Sequence, residues 1–156
     1  APFLLGPSGT FSGHSLTLAA GLATLQSLTP AVYDHLDQLA RRLQAGLQAC
    51  FEDAGRACRV VRCGSMVNVW PSSAPVVDMR TVADLDMAWW ELLSFALTCR
   101  GYRISSGWMM MTISEPMTDQ IIDDFVATVA EELAASSDDD FIQESQPAES
   151  AEQARL

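Results

Sequence analysis

The sequence predicts an α+β fold, a small antiparallel sheet with helices packed on one face. Two observations carry this. Long segments whose apolar residues recur every three or four positions alternate with short runs rich in β-branched residues. The short runs also come in pairs, and each pair lies between helical segments, as a sheet with helices on one layer requires. The predicted order is helix, helix, two strands, helix, two strands, helix and tail. No internal repeat is visible.

The first helix spans residues 15–28 and is apolar almost all round, with Leu16, Leu18, Ala19, Leu22 and Leu25. Such a segment has to be covered on several sides. Thr29-Pro30 supplies an N-cap and a first-turn proline for a second helix. That helix runs to about Ala54, and Val32, Leu36, Leu39, Leu43, Leu47, Cys50 and Phe51 form its stripe. Gly55 ends it in a left-handed cap. Residues 58–62 and 66–70 then read as strands hinged at Gly64-Ser65 and closed by Pro71. Residues 75–79 read as loop or a brief edge strand. A third helix is expected over 82–100, with Val82, Leu85, Trp89, Leu92, Leu93, Ala96 and Leu97 inward and Gly101 as its stop. Residues 102–105 and 108–113 give two more strands. The last helix follows Pro116, capped by Thr118, with Ile121, Ile122, Phe125, Val126, Val129 and Leu133 on its buried stripe.

At 156 residues with 49% hydrophobic content, the chain can bury a real core. Its net charge of −11 is unevenly placed, with six carboxylates from Asp138 to Glu152 against Arg155 alone. The rest of the chain is also acidic and repels a polyphosphate backbone, so no nucleic-acid partner is expected. The tail is expected to be disordered, having too little apolar surface to offset ordering. No stretch approaches the roughly 20 apolar residues of a membrane span, and no basic segment marks a signal peptide. A cytoplasmic protein without a membrane partner is expected. Cysteines at 50, 58, 63 and 99 form no C-x-x-C pair, and only His14 and His35 are available, so no metal site is expected. Cys50 and Cys99 fall on predicted apolar helix faces, and reduced thiols in a reducing compartment are expected.

The candidate site lies at Gly9-Thr10, just before the first helix. A phosphate dianion is well held by backbone N–H groups and a hydroxyl where peptide dipoles converge. Gly9 lets the backbone come close, and Thr10 offers an N–H and an O–H at one point. The same residues also suit an ordinary turn that starts a helix. His14 fits a capping role. Arg62, Arg100 and Arg103 are able to bind a carboxylate bidentately or to pair with nearby acids. No residue is assigned a catalytic role.

The run GTFSGHSLTLAAGLATL at 9–25 resembles a motif of the class III, fold-type I pyridoxal-phosphate-dependent aminotransferases and aminomutases, nearest the glutamate-1-semialdehyde 2,1-aminomutases. The resemblance continues through Arg62-Cys63-Gly64-Ser65-Met66, the Cys99-Arg100-Gly101-Tyr102 helix exit and the closing helix from Thr118 to Leu133. It covers roughly residues 8–135.

The resemblance implies the small C-terminal domain of such an enzyme. Residues 1–28 would be the phosphate turn and interface helix of a large domain, 29–135 the small α+β domain, and 136–156 the acidic tail. It further implies pyridoxal 5'-phosphate as cofactor, with Gly9 and Thr10 binding the phosphate held by the partner subunit. A homodimer through residues 9–28 and a small amino-acid or amino-ketone substrate are implied with it. The amino group would move through an external aldimine. The nine basic residues are all arginine, so the Schiff-base lysine would lie upstream and this chain alone would be inactive. The other reading is a non-catalytic dimerisation or regulatory module derived from the same domain. Two departures stand out. Ser15 replaces the family's proline, and Ser105-Ser106-Gly107-Trp108 is shorter than the family's S-Q-F-E-like segment and lacks its carboxylate.

Overall fold

The computed structural model describes residues 9–83, 85, 88–104 and 110–136. The chain divides into two compact units, Ala1–His35 and Leu36–Leu156. The first contains helix α1, Ser15–Ser27. As its composition implies, α1 is apolar without a favoured face, and none of its residues is buried.

Helix α2, Pro30–Asp53, begins after Thr29, whose Oγ1 accepts from Val32 N at 3.4 Å. It ends where Gly55 takes a φ of 68°. There Gly55 N donates to Glu52 O and Arg56 N to Phe51 O, which closes the orphan carbonyls.

Among the described residues, the sheet has three antiparallel strands in the order β1-β2-β3. Strand β1 is Arg59–Cys63, β2 is Met66–Trp70 and β3 is Met110–Thr112. The β1–β2 hairpin pairs Cys63 with Met66 across Gly64-Ser65, where Gly64 has a φ of 57°. Val60 lies opposite Val69, and Val67 opposite Met111. These four are buried, whereas Val61, Met66 and Met110 on the other face are exposed. One face therefore carries the core.

Leu39, Leu43, Leu47 and Phe51 of α2 cover that core together with the later helices. Helix α3, Met79–Ala83, is capped by Asp78, whose Oδ1 accepts from Arg80 N and Thr81 N. Helix α4, Ala88–Cys99, contributes Trp90, Leu93 and Leu97. Helix α5, Asp119–Ala135, contributes Ile122, Phe125, Val129 and Leu133, and Thr118 caps its start. Each fully buried side chain of this size adds about 1.5–3 kcal/mol. Gly46 sets how closely α2 and α5 approach, since a Cβ there would stand 2.9 Å from Val126 Cγ2.

Three expectations are corrected. The helix expected over 82–100 is divided: α3 starts earlier, at Met79 under the Asp78 cap, and ends at Ala83, Leu85 lies in a bend, and α4 begins at Ala88. The buried face of α4 holds Trp90 and Leu93, while Leu92 is 44% exposed. So much of α4 is apolar that spacing alone does not fix its inward face. Finally, Tyr102–Ile104 is not a strand. Gly101 turns the chain with a φ of 95°, and Tyr102 N bonds Leu97 O instead of a ladder partner. The Tyr102 ring packs edge-on against Phe125 with centroids 5.1 Å apart. Of the strand expected over 108–113, Met110–Thr112 is formed, and 105–109 lie outside the described residues. The tail from 137 also lies outside them.

Candidate functional site

The first unit presents Gly9 and Thr10 side by side in an exposed turn over residues 9–13. Ser12 N bonds Gly9 O at 3.0 Å and His14 N bonds Phe11 O at 3.1 Å, which folds the turn tightly ahead of α1. Gly9 has a φ of 132° and Gly13 a φ of 79°, conformations that a side chain would strain. His14 occupies the N-cap position, but its side chain makes no capping hydrogen bond. Its ring stands edge-on to Phe11, with centroids 5.9 Å apart. The capping role read from the sequence is therefore positional only. No acidic residue lies in the first turn of α1, so its leading amides keep their partial positive charge. This arrangement suits an anion that accepts from backbone N–H groups and the Thr10 hydroxyl.

In the second unit, the three arginines singled out from the sequence have different settings. Arg62 reaches Asp37 and Gly64 O with Nη1, the latter at 3.0 Å. Asp37 also accepts from Arg41 Nε at 2.7 Å. Arg100 pairs with Glu131 and with Glu132, the latter at 3.1 Å. Both arginines are thus engaged by acids. Arg103 lies on the rim of an apolar cleft of about 280 Å³ whose walls include Leu43, Tyr102, Ile113 and Phe125. Nothing in the local sequence pointed to the Asp37–Arg62 pair, because 25 residues separate its members. The i,i+4 spacing of Asp37 and Arg41 is the local signal that could have pointed to Asp37.

All four cysteines are free. Cys58 is buried, which pushes its thiol up to about 12, so it is not a nucleophile at neutral pH. Cys99, expected on an apolar face, is exposed. The described residues contain no cluster able to hold a metal ion. Among them, no helix is long and apolar enough to cross a membrane.

The hydrogen bond from Arg41, and then that from Arg62, hold the Asp37 carboxyl below the usual carboxylate range. Arg42, bonded to Asp123 at 2.6 Å and 2.7 Å, does the same for Asp123. A carboxyl whose folded pKa is depressed adds stability above its unfolded pKa of about 3.9, and loses it as pH falls through the folded value. Acid unfolding is therefore expected to steepen below about pH 4. An Asp37→Asn, Asp123→Asn variant should unfold more readily at pH 7 and show a flatter dependence below about pH 4. Urea titrations at several pH values check this, and an unchanged pH profile contradicts it.

No family model matches the chain. It is 37% identical over 135 residues to glutamate-1-semialdehyde 2,1-aminomutase of Sorangium cellulosum, covering 84% of this chain and 31% of that protein. It is 38% identical over 102 residues to the same enzyme of a Thermus thermophilus strain, covering 62% of this chain and 24% of that protein. The chain thus spans less than a third of the length of these relatives.

Among solved structures, an omega-transaminase from Sphaerobacter thermophilus matches 83% of this chain and 30% of its own, with a TM-score of 0.70 and 27% identity. A glutamate-1-semialdehyde-aminomutase from Pseudomonas aeruginosa PAO1, in complex with PMP, shares the fold with a TM-score of 0.74. It covers 86% of this chain and 30% of that one, at 24% identity. In sequence and in fold, the chain corresponds to a C-terminal portion of the fold-type I pyridoxal-phosphate-dependent aminotransferases, of the kind that includes glutamate-1-semialdehyde 2,1-aminomutase.

Proposed function

We propose that this chain is the C-terminal part of a pyridoxal-phosphate-dependent enzyme that moves an amino group on a small amino acid or amino-ketone. The lysine that tethers the cofactor would be carried by polypeptide outside these residues. The observation that carries this reading is the exposed Gly9-Thr10 turn, set ahead of a helix whose side chains leave its N-terminus uncapped. That geometry fits a phosphate ester, because the glycine keeps a side chain out of the way and the leading amides attract an anion.

When bound, pyridoxal phosphate supplies an electron sink that eases removal of a substrate C–H proton. The residues of this chain do not move that proton. Thr10 would hold the phosphate through its O–H and N–H, and Gly9 would let the backbone approach. That phosphate would be the one carried by the partner subunit of a homodimer formed through residues 9–28. Exposure of Phe11, Leu16, Leu22 and Leu25 supports that interface, since an apolar helix of this kind needs a cover. Residues 1–28 then act with the large domain, and 29–135 form the small one.

The absence of lysine also favours a second reading, a non-catalytic dimerisation or regulatory module. One experiment separates the two. The chain alone, mixed with pyridoxal phosphate, is expected to show no protein-bound cofactor absorbance and no amino transfer. The polypeptide from the complete reading frame is expected to show both. A complete polypeptide that has no lysine-bearing domain, or binds no cofactor, contradicts the enzyme reading and leaves the module.

A further inference from the structure

Among the described residues, strand β1 is an edge of the sheet. An edge strand normally leaves backbone groups free to pair with another chain. Here helix α2 occupies them with two glutamines one turn apart. Val60 N donates to Gln48 Oε1 at 3.0 Å, and Val60 O accepts from Gln44 Nε2 at 2.8 Å. Gln48 Nε2 also reaches Cys58 O at 3.3 Å. A primary amide offers the same donor and acceptor as a peptide group. By bonding Cys58 O and Val60 N, the Gln48 amide fills the two positions that one residue of a parallel neighbouring strand would fill.

The sequence around these groups gives the edge a reason to be closed. Arg59-Val60-Val61-Arg62 is β-prone, and Val61 on its outer face is 42% exposed. Two of the flanking polar groups are already committed elsewhere. The Arg59 guanidinium bonds Ser73 O at 2.9 Å and 3.1 Å, and Arg62 is held by Asp37. The backbone amide and carbonyl of Val60 face the outer edge of β1, and those are groups the glutamines take.

We propose that Gln44 and Gln48 stand in for a fourth strand and seal the β1 edge against strand addition by a second copy of this chain. The contact is a guard on the fold and is independent of cofactor binding. The probe is amide hydrogen exchange at Val60 in the full chain, read at low and high protein concentration.

In the wild type, the Val60 amide is expected to exchange at least about tenfold more slowly than an exposed amide, at every concentration. Gln44→Met together with Gln48→Met keeps side-chain length and helix propensity while removing the amides. In that variant, Val60 exchange is expected to rise about five- to tenfold at low concentration. At high concentration protection returns at Val60 as copies pair through β1. Association through the exposed α1 helix would not restore it, so the two causes are separable.

A wild-type Val60 amide that exchanges like an exposed one overturns the proposal, and this measurement does not depend on the variant folding. Unchanged exchange in the variant overturns it as well. So does increased exchange with no return of protection at high concentration, because the glutamines would then bond the edge without guarding it.

Discussion

Phe51→Ala is expected to destabilise the Leu36–Leu156 unit by about 3–5 kcal/mol, the usual cost of emptying a large aromatic site in a packed core. Phe51 is fully buried, at 0% exposure. Its ring meets Trp89 edge-on with centroids 5.9 Å apart, which ties the end of α2 to the start of α4. Its carbonyl accepts the Arg56 amide that closes α2 and launches the chain into β1. Truncation leaves a cavity where helix end, turn and second helix meet, so there is little freedom to collapse around it. Domains of this size have about 5–15 kcal/mol in total, so the variant is expected to lose roughly a fifth or more of its stability. Urea unfolding followed by tryptophan fluorescence measures it. A loss below about 1 kcal/mol would show that this junction is not part of the packed core.

Thr10→Ala is expected to weaken cofactor retention in the complete assembly by about ten- to a hundredfold, the loss of one hydrogen bond to a charged group. Thr10 is exposed in the 9–13 turn, so the change should leave the unfolding midpoint nearly unmoved. Thr10→Ser restores the hydroxyl and should restore affinity. Equilibrium dialysis of pyridoxal phosphate against wild type and both variants reads this without relying on turnover. Equal retention by the alanine and serine variants contradicts the hydroxyl's role.

The layout of the fold was legible wherever one local rule dominated. Thr29-Pro30 and Gly55 bounded α2, and Thr118 fixed the start of α5. The hairpin at Gly64-Ser65 followed from two β-rich runs about a glycine. Reading failed where two rules competed. In α4 so many residues are apolar that the spacing marked Trp89 as inward and passed over its neighbour. Burial of Trp90 at 2% exposure is a tertiary outcome, with Trp89 only partly buried against the same core. At Tyr102 the backbone amide had a choice between a sheet ladder and the end of α4, and the left-handed Gly101 decided for the helix.

The arginines show the same boundary. Their chemistry was evident, but whether each met an acid depended on contacts from distant elements. Arg62 and Arg100 found acids on α2 and α5, while Arg103 came to rest on the rim of an apolar cleft. At Gly9-Thr10 the turn was legible as a turn, because a glycine-bearing segment ahead of a helix start is a local property.

The most direct measurement is a crystal structure of the complete assembly with its cofactor bound. The proposed role of Thr10 requires its Oγ1 to lie about 2.6–3.0 Å from a phosphate oxygen of the cofactor in the partner subunit. A structure in which Thr10 stays beyond roughly 6 Å from every cofactor phosphate, past any direct hydrogen bond, would contradict it.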